Sequence, residues 1–398
     1  MTVAILADAP TLTTGFGVTT RRIADALHGA DQEVACFGLK AKPGDCADHR
    51  RYLIWAAERG GHWTDSLADF FSATHPRLLL LNMDAYNAVE CLDAIRSAGY
   101  RGPIASYVVF DGLPVGRHYL DAQRSCDGVL ASSQTAAAYL RSNGIDVLAV
   151  APPGVDRNEF APVPDPAALR ERADLAGTAI IGVFGTNTER KQIPRVLRAL
   201  PDIMSRLSGL PVLLYLHCRP AGYWRLCDIA QELGISEYVL FPSFAFDEAR
   251  GVHTASGTSS AADRAASEHS MGAVSYVDRI NCCDVIVNVP HSGDIEQVIL
   301  EAQACNVPLI HTDDQGIMSE AVSSGGMLLS GCDIGTGRCG ERIHHVAPSA
   351  ITDAVVSILL DDQLQSTLRK AGQDNVAQYT WAPLQNAARE IADRFLKR

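Results

Sequence analysis

Long hydrophobic runs are missing from this chain: nowhere do apolar residues approach the ~18 in succession that a membrane-spanning helix needs. The segment 1–17 has no basic residue ahead of its short apolar stretch and no small-residue cleavage pattern after it. It reads as a first strand and its loop, not as a signal sequence. Positive charge is also short, with 34 Lys and Arg against 46 Asp and Glu, a net charge of −12. Such a surface repels polyanions and disfavours wholesale wrapping of nucleic acid or an anionic membrane. No CxxC pair occurs among the 11 scattered cysteines, and Cys282 and Cys283 sit in an apolar run. Buried free thiols in a reducing cytoplasm are therefore expected. Cys332 and Cys339 lie near His344 and His345, yet their spacing fits no familiar zinc pattern, so no metal site is expected. Neither half carries a GxGxxG fingerprint, which argues against a dinucleotide enzyme.

What is present is an ordinary globular composition, 47% hydrophobic and 20% charged, over 398 residues. That length suits two or three domains. Apolar runs of four to six residues alternate with helical patterns, beginning at Val3–Leu6 and the helix Arg21–Leu27. The alternation continues through Leu78–Leu81, Ile104–Val109 and Gly128–Ala131, then restarts after Pro152-Pro153 with Ala179–Phe184 and Val212–His217. Parallel sheets covered on both faces follow from this pattern. The expected fold is α/β, with two Rossmann-like doubly wound domains. The expected partition is a first domain over 1–153, a second over 154–376, and a C-terminal helical segment over 377–398. Residues 251–275, rich in Ser, Ala, Gly and Thr, break the alternation and read as a long surface loop.

Several positions carry chemistry. Gly15 and Gly17 stand between the first strand and its helix, where glycine permits close backbone approach and a helix N-terminus offers N–H groups to an anion. Arg190 and Lys191 follow a Gly turn directly after Ala179–Phe184. Basic residues are unfavourable at a helix N-terminus, so their placement there points to a diphosphate. Glu301 lies among Ile299, Leu300, Ala302 and Ala304. A carboxylate in such company needs a partner, either a structural hydrogen bond or a ligand's hydroxyl pair.

Four stretches, in order along the chain, resemble a GT-B glycosyltransferase of the retaining family 4 type (glycosyl transferases group 1). PPGVDRNEFAP (Pro152–Pro162) resembles the interdomain PxGVDxxxF signature, and GTNTERKQIPRVLRAL (Gly185–Leu200) resembles a variant phosphate-binding motif. LEAQACNVPLIHTDDQG (Leu300–Gly316) resembles the second half of the motif with paired glutamates, and Tyr379–Trp381 resembles the closing aromatic element. The resemblance implies transfer of a sugar from a UDP- or GDP-sugar to an acceptor hydroxyl with retention, by a cytoplasmic, metal-independent enzyme with no cofactor beyond that donor. It places Arg190 and Lys191 on the diphosphate, Glu301 on the ribose hydroxyls, and Gly15 and Gly17 beneath the diphosphate and acceptor. Asp111 would orient the acceptor, with general base as a secondary role, and Asp84 would also meet the acceptor. Glu320 matches a recurrent glutamate of unspecified role.

The chain departs from the family in three places. Gly293 stands where the first glutamate of the pair belongs, so Asp294 or Glu296 would have to replace it on the donor. Thr186 occupies the place of the motif's common arginine, and Phe110-Asp111-Gly112 replaces the usual His-Asp. The missing glutamate leaves a catalytically impaired partner subunit as an alternative. A small molecule or glycan is the expected acceptor. Hydroxymethylated bases of viral DNA are a further alternative, which would need a basic channel built from Lys40, Lys42, His49, Arg50 and Arg51 on an acidic protein.

Overall fold

Burial without interruption marks the strands: β1 (Thr2–Asp8) has no exposed residue, as a strand covered on both faces requires. The computed structural model describes residues 2–41, 51–57, 63–242 and 274–397. Lys42, His49 and Arg50, and positions 251–273 of the expected loop, lie outside the described residues.

The chain divides into two units. The first comprises Met1–Gly154, Thr336–Glu341 and Thr380–Arg398. Its seven strands continue with β2 (Glu33–Leu39), β3 (Leu53–Ala56), β4 (Leu78–Asp84), β5 (Ile104–Val109), β6 (Gly128–Ala131) and β7 (Ala149–Val150). They pair in the order β3-β2-β1-β4-β5-β6-β7, all parallel. The intervening helices are α1 (Gly15–His28), α2 (Leu67–Thr74), α3 (Ala85–Ser97), α4 (Arg117–Arg124) and α5 (Gln134–Ser142). The sequence reading missed β3, a short edge strand inside the apolar run Tyr52–Ala57.

The second unit comprises Val155–Gly335 and Arg342–Tyr379. Its sheet contains β8 (Ala179–Phe184), β9 (Val212–His217), β10 (Val239–Leu240), β11 (Val285–Asn288), β12 (Leu309–Asp313) and β13 (Met327–Ser330), in the order β10-β9-β8-β11-β12-β13. Around it run α6 (Pro166–Arg172), α7 (Ile193–Arg206), α8 (Leu226–Glu232), α9 (Tyr276–Asn281), α10 (Gln297–Ala304), α11 (Ile317–Val322), α12 (Pro348–Leu360) and α13 (Asp362–Val376). Alternate residues of β8 enter opposite cores: Ile181 and Val183 pack with α7 and α12, Ile180 and Phe184 with α9 and α10. The strands β14 (Cys332–Thr336) and β15 (Arg342–His345) form a separate two-stranded ribbon that the alternation did not anticipate. The segment between them, Thr336–Glu341, falls in the first unit, an excursion absent from the expected partition. The observed unit boundaries lie at Gly154/Val155 and Tyr379/Thr380.

In each sheet the strand order reverses beside the first strand of the unit, at β1/β4 and β8/β11. Connections leave such neighbours in opposite directions, opening a crevice beyond their carboxyl ends.

The last helix, α14 (Ala382–Leu396), completes the first unit's core: Leu384, Ala388, Ile391 and Leu396 pack with Val3, Ile5, Ile23 and Leu27. Arg22 lies 5.5 Å over the Trp381 ring, and Arg389 Nε donates to the Ala26 carbonyl at 3.2 Å. Truncating the fully buried Leu384 to alanine should destabilise this unit by about 2–5 kcal/mol, the usual cost of a leucine-sized cavity. Urea unfolding checks it; an unchanged midpoint would show that α14 does not share this core.

Candidate functional site

Phosphate-sized chemistry gathers at the β8/β11 switch point of the second unit. Beyond β8 the chain turns through Gly185 at a φ of +148°, a conformation strained for any L side chain, and a Cβ there would lie 3.0 Å from Lys191 Cε. It then passes through a short 3-10 turn, Glu189–Lys191, before α7. Arg190 and Lys191 thus stand on that turn instead of on the helix, and their side chains converge. Arg190 Nη1 and Lys191 Nζ lie 2.9 Å and 2.6 Å from the same atom, Glu296 Oε1. Arg190 Nη1 also donates to the Ser292 carbonyl at 2.9 Å.

Glu296 comes from the loop between β11 and α10, and its side chain is 7% exposed. Asn288 Nδ2 approaches its second oxygen at 3.4 Å, and His311 Nε2, fully buried in the middle of β12, stands 3.9 Å away. Burial alone would raise this carboxyl, but Lys191, His311 and Arg190 together hold it well below the usual carboxylate range. The cluster brings two cationic side chains together beside a backbone turn, an arrangement suited to an anion.

Gly293 makes the arrangement possible. A Cβ there would lie 2.8 Å from Arg190 Nη1 and 3.0 Å from Met318 Sδ. Of the two acids offered as replacements for the missing glutamate, Glu296 meets both cations. Asp294, 6% exposed, accepts the Ile295 N–H at 2.7 Å.

Glu301 lies on α10, 7% exposed, and Tyr276 of α9 donates its hydroxyl to Glu301 Oε2 at 2.7 Å. Its need for a partner is therefore met by a structural bond in this state. Burial pushes the carboxyl up to about 7, against the lowering effect of Tyr276. Around Tyr276 stands an aromatic group. His217 stacks on Phe184 at 5.3 Å and meets Tyr276 edge-on at 5.0 Å, while the Tyr215 hydroxyl lies 2.8 Å from His217 Nδ1. Burial, aided by Arg279, brings His217 down to about 4, so the ring is neutral at pH 7. Sequence reading missed Tyr276, His217 and His311. Their only available signal was position, near the carboxyl ends of strands and at the start of a helix.

In the first unit the expected glycine loop is the opening turn of α1, which begins six residues before the predicted Arg21. The physical reason is capping: Thr14 accepts the Gly17 N–H at 3.0 Å and donates to Asp8 Oδ2 at 2.7 Å. A Cβ on Gly17 would lie 2.5 Å from the Leu12 carbonyl oxygen. Lys40 Nζ is 3.1 Å from the same Asp8 oxygen. Asp84, at the end of β4, caps α3 by accepting the backbone and side-chain N–H groups of Asn87, each at 2.8 Å. Burial first, opposed by those bonds, and then the neighbouring Asp111 charge raise its carboxyl. Asp111 follows β5, one strand over. Glu320 lies in α11 of the second unit. Among the described residues no cluster has the makings of a metal site, and no helix is long and apolar enough to cross a membrane.

These features define a GT-B fold: two parallel, helix-covered sheets that match solved GT-B structures. The sucrose-phosphate synthase of Thermosynechococcus elongatus aligns with TM-score 0.72 at 16% identity, covering 100% of this chain and 99% of that one. Anabaena HepE, solved with UDP and glucose, aligns with TM-score 0.67 at 16% identity, covering 99% of this chain and 100% of that one. In sequence the chain is similar to the D-inositol 3-phosphate glycosyltransferase of Corynebacterium jeikeium, 28% identical over 242 residues, 58% of this chain and 48% of the relative. It is equally similar, at 28% over 247 residues, to the GDP-mannose-dependent alpha-(1-6)-phosphatidylinositol monomannoside mannosyltransferase of Mycolicibacterium smegmatis, covering 61% of this chain and 54% of that protein. The chain thus spans about half the length of the curated relatives it matches. No protein-family model matches it. The relatives and the fold are consistent with the group 1 glycosyltransferases.

If Glu296 serves as the internal counter-ion of Arg190 and Lys191, replacing it with glutamine frees both cations for an external anion. Glu296→Gln should lower the melting temperature and bind inorganic pyrophosphate at least ~10-fold more tightly than the parent chain. Unchanged pyrophosphate affinity in calorimetry would sink the counter-ion role.

Proposed function

We propose that the chain is a glycosyltransferase that moves a sugar from a UDP- or GDP-sugar to a hydroxyl of a small-molecule or glycan acceptor. The observation that carries this reading is the convergence of Arg190 and Lys191 at the β8/β11 switch point, with Glu301 on the adjoining helix. The names of the relatives support it, since they include a GDP-mannose-dependent mannosyltransferase and inositol phosphate glycosyltransferases.

The difficult step is departure of the diphosphate while the anomeric carbon gains oxocarbenium character. Arg190 and Lys191 meet the leaving charge, each giving up part of its hold on Glu296. Cationic side chains fill the charge-stabilising role, so the reaction needs no metal. Glu301 takes the ribose hydroxyls in place of Tyr276. Retention follows if the acceptor attacks from the face the diphosphate leaves: the acceptor oxygen bonds to the anomeric carbon, the carbon–phosphate-oxygen bond breaks, and the departing phosphate takes the acceptor's proton. Asp111 orients the acceptor, with Asp84 beside it and general base as a secondary role.

Gly293, standing where the family has a glutamate, favours a second reading, a nucleotide-sugar-binding partner subunit without turnover. Slow hydrolysis of the donor with release of nucleoside diphosphate would exclude it. A DNA acceptor draws less support: of the proposed basic channel, Lys40 pairs with Asp8 and Arg51 with Asp25.

Replacing Arg190 or Lys191 by alanine should lower turnover at least ~10²-fold, as loss of a charge-stabilising donor does. Near-normal turnover in either variant would remove the assignment. Ribose hydroxyls donate to an ionised Glu301, and its carboxyl is raised to about 7. Nucleotide affinity should therefore strengthen as pH rises from 6 to 8, and Glu301→Gln should bind weakly with no such slope. A parent chain whose affinity is flat across that window argues against the ribose role.

A further inference from the structure

The excursion Thr336–Glu341 is a built feature of the first unit. The Gly337 N–H donates to the Glu341 carbonyl at 2.8 Å and the Gly340 N–H to the Gly337 carbonyl at 3.1 Å, closing a tight turn. The Glu341 carboxylate, 5% exposed, accepts the Cys339 N–H at 2.8 Å. The Cys339 carbonyl in turn accepts the Gly116 N–H at 2.6 Å, ahead of α4. Gly340, at φ +97°, passes so close that a Cβ would lie 2.8 Å from the Gly116 nitrogen. Cys339 is 7% exposed and hydrogen-bonds Tyr119. Docking of this kind fixes the turn on the loop that follows Asp111.

The residue this turn presents is Arg338. Its guanidinium carbon lies 3.4 Å from the centroid of the Tyr86 ring, in the first turn of α3 next to Asp84. It makes no hydrogen bond or ion pair with a described residue, so its planar set of N–H donors is oriented by stacking and unspent. Beside it, Asp84 and Asp111 lie close enough to act electrostatically on Cys339, and Lys40 acts on Asp84. Carboxylates suit the hydroxyls of a polyol, and an unspent guanidinium suits an anionic substituent on the same molecule.

We propose that Arg338, stacked on Tyr86, selects an acceptor that is a polyol bearing an anionic group: Arg338 binds the anion while Asp84 and Asp111 take hydroxyls. This rests on reading the chain as a glycosyltransferase whose first unit binds the acceptor. Arg338 is a specificity residue, held in place by the six-residue turn Thr336–Glu341.

The test is calorimetry on the full chain saturated with UDP, or with GDP if that is the nucleotide it binds, titrated with myo-inositol and with myo-inositol 1-phosphate. The parent chain should bind the phosphorylated polyol at least ~10-fold more tightly, the equivalent of one charge-assisted contact. Arg338→Ala should erase that preference, Tyr86→Leu should shrink it, and Tyr86→Phe should keep it. Nucleotide affinity should stay at the parent value in all three variants, which shows that each is folded. Nucleotide binding with equal affinity for the two polyols, or a preference that survives Arg338→Ala, overturns the assignment alone. Failure of the parent chain to bind any nucleotide would overturn the functional reading and this assignment with it.

Discussion

A single carboxylate oxygen holding two cations organises the second unit. Glu296 Oε1 receives both Arg190 and Lys191, and that sharing dictates what surrounds it. Gly185 supplies the positive φ beside Lys191, and Gly293 leaves room for Arg190. Asn288, at the end of β11, and His311, within the neighbouring β12, stand at the other oxygen. A buried acid that is paired stays ionised, whereas an unpaired one would be forced neutral or expelled. The two cations are thereby held in place on one side of the turn.

The first unit solves a related problem differently. Its carboxyl edge carries acids on adjacent strands, and each has a local partner or neighbour: Asp8 with Thr14 and Lys40, Asp84 with Asn87, Asp111 beside Asp84. The net charge of −12 is therefore no guide to either site. What matters at each switch point is a handful of charges whose positions are fixed by strand ends and first helical turns.

Much of this was legible in the residues. The runs Ile104–Val109, Gly128–Ala131, Ala179–Phe184 and Val212–His217 appear as strands with the expected bounds, because fully buried parallel strands are continuous apolar stretches. Arg190 and Lys191 stood out because cations at a strand-to-helix turn are locally unfavourable and need a reason. Less visible were features set by capping or by distant partners. Thr14 moved the start of α1 to Gly15 by a bond to Asp8. The ribbon β14–β15 has only isolated apolar residues, Ile334 and Ile343 among polar neighbours, and so carries no apolar run.

That Glu296 meets both cations was hidden in the sequence, since it and Asp294 lie within three residues of Gly293 and differ only in where the loop aims them. The partner of Glu301 was equally hidden, because Tyr276 lies 25 positions away. The sequence by itself determined the two doubly wound sheets, the place where the pattern restarts, and the residue types at the strand ends, all consequences of local periodicity and composition. Tertiary structure alone decided the pairings, Glu296 with two cations, Tyr276 with Glu301 and Arg338 with Tyr86. A side-chain contact between distant segments depends on how strands are ordered in a sheet, and nothing local in the chain encodes that distance.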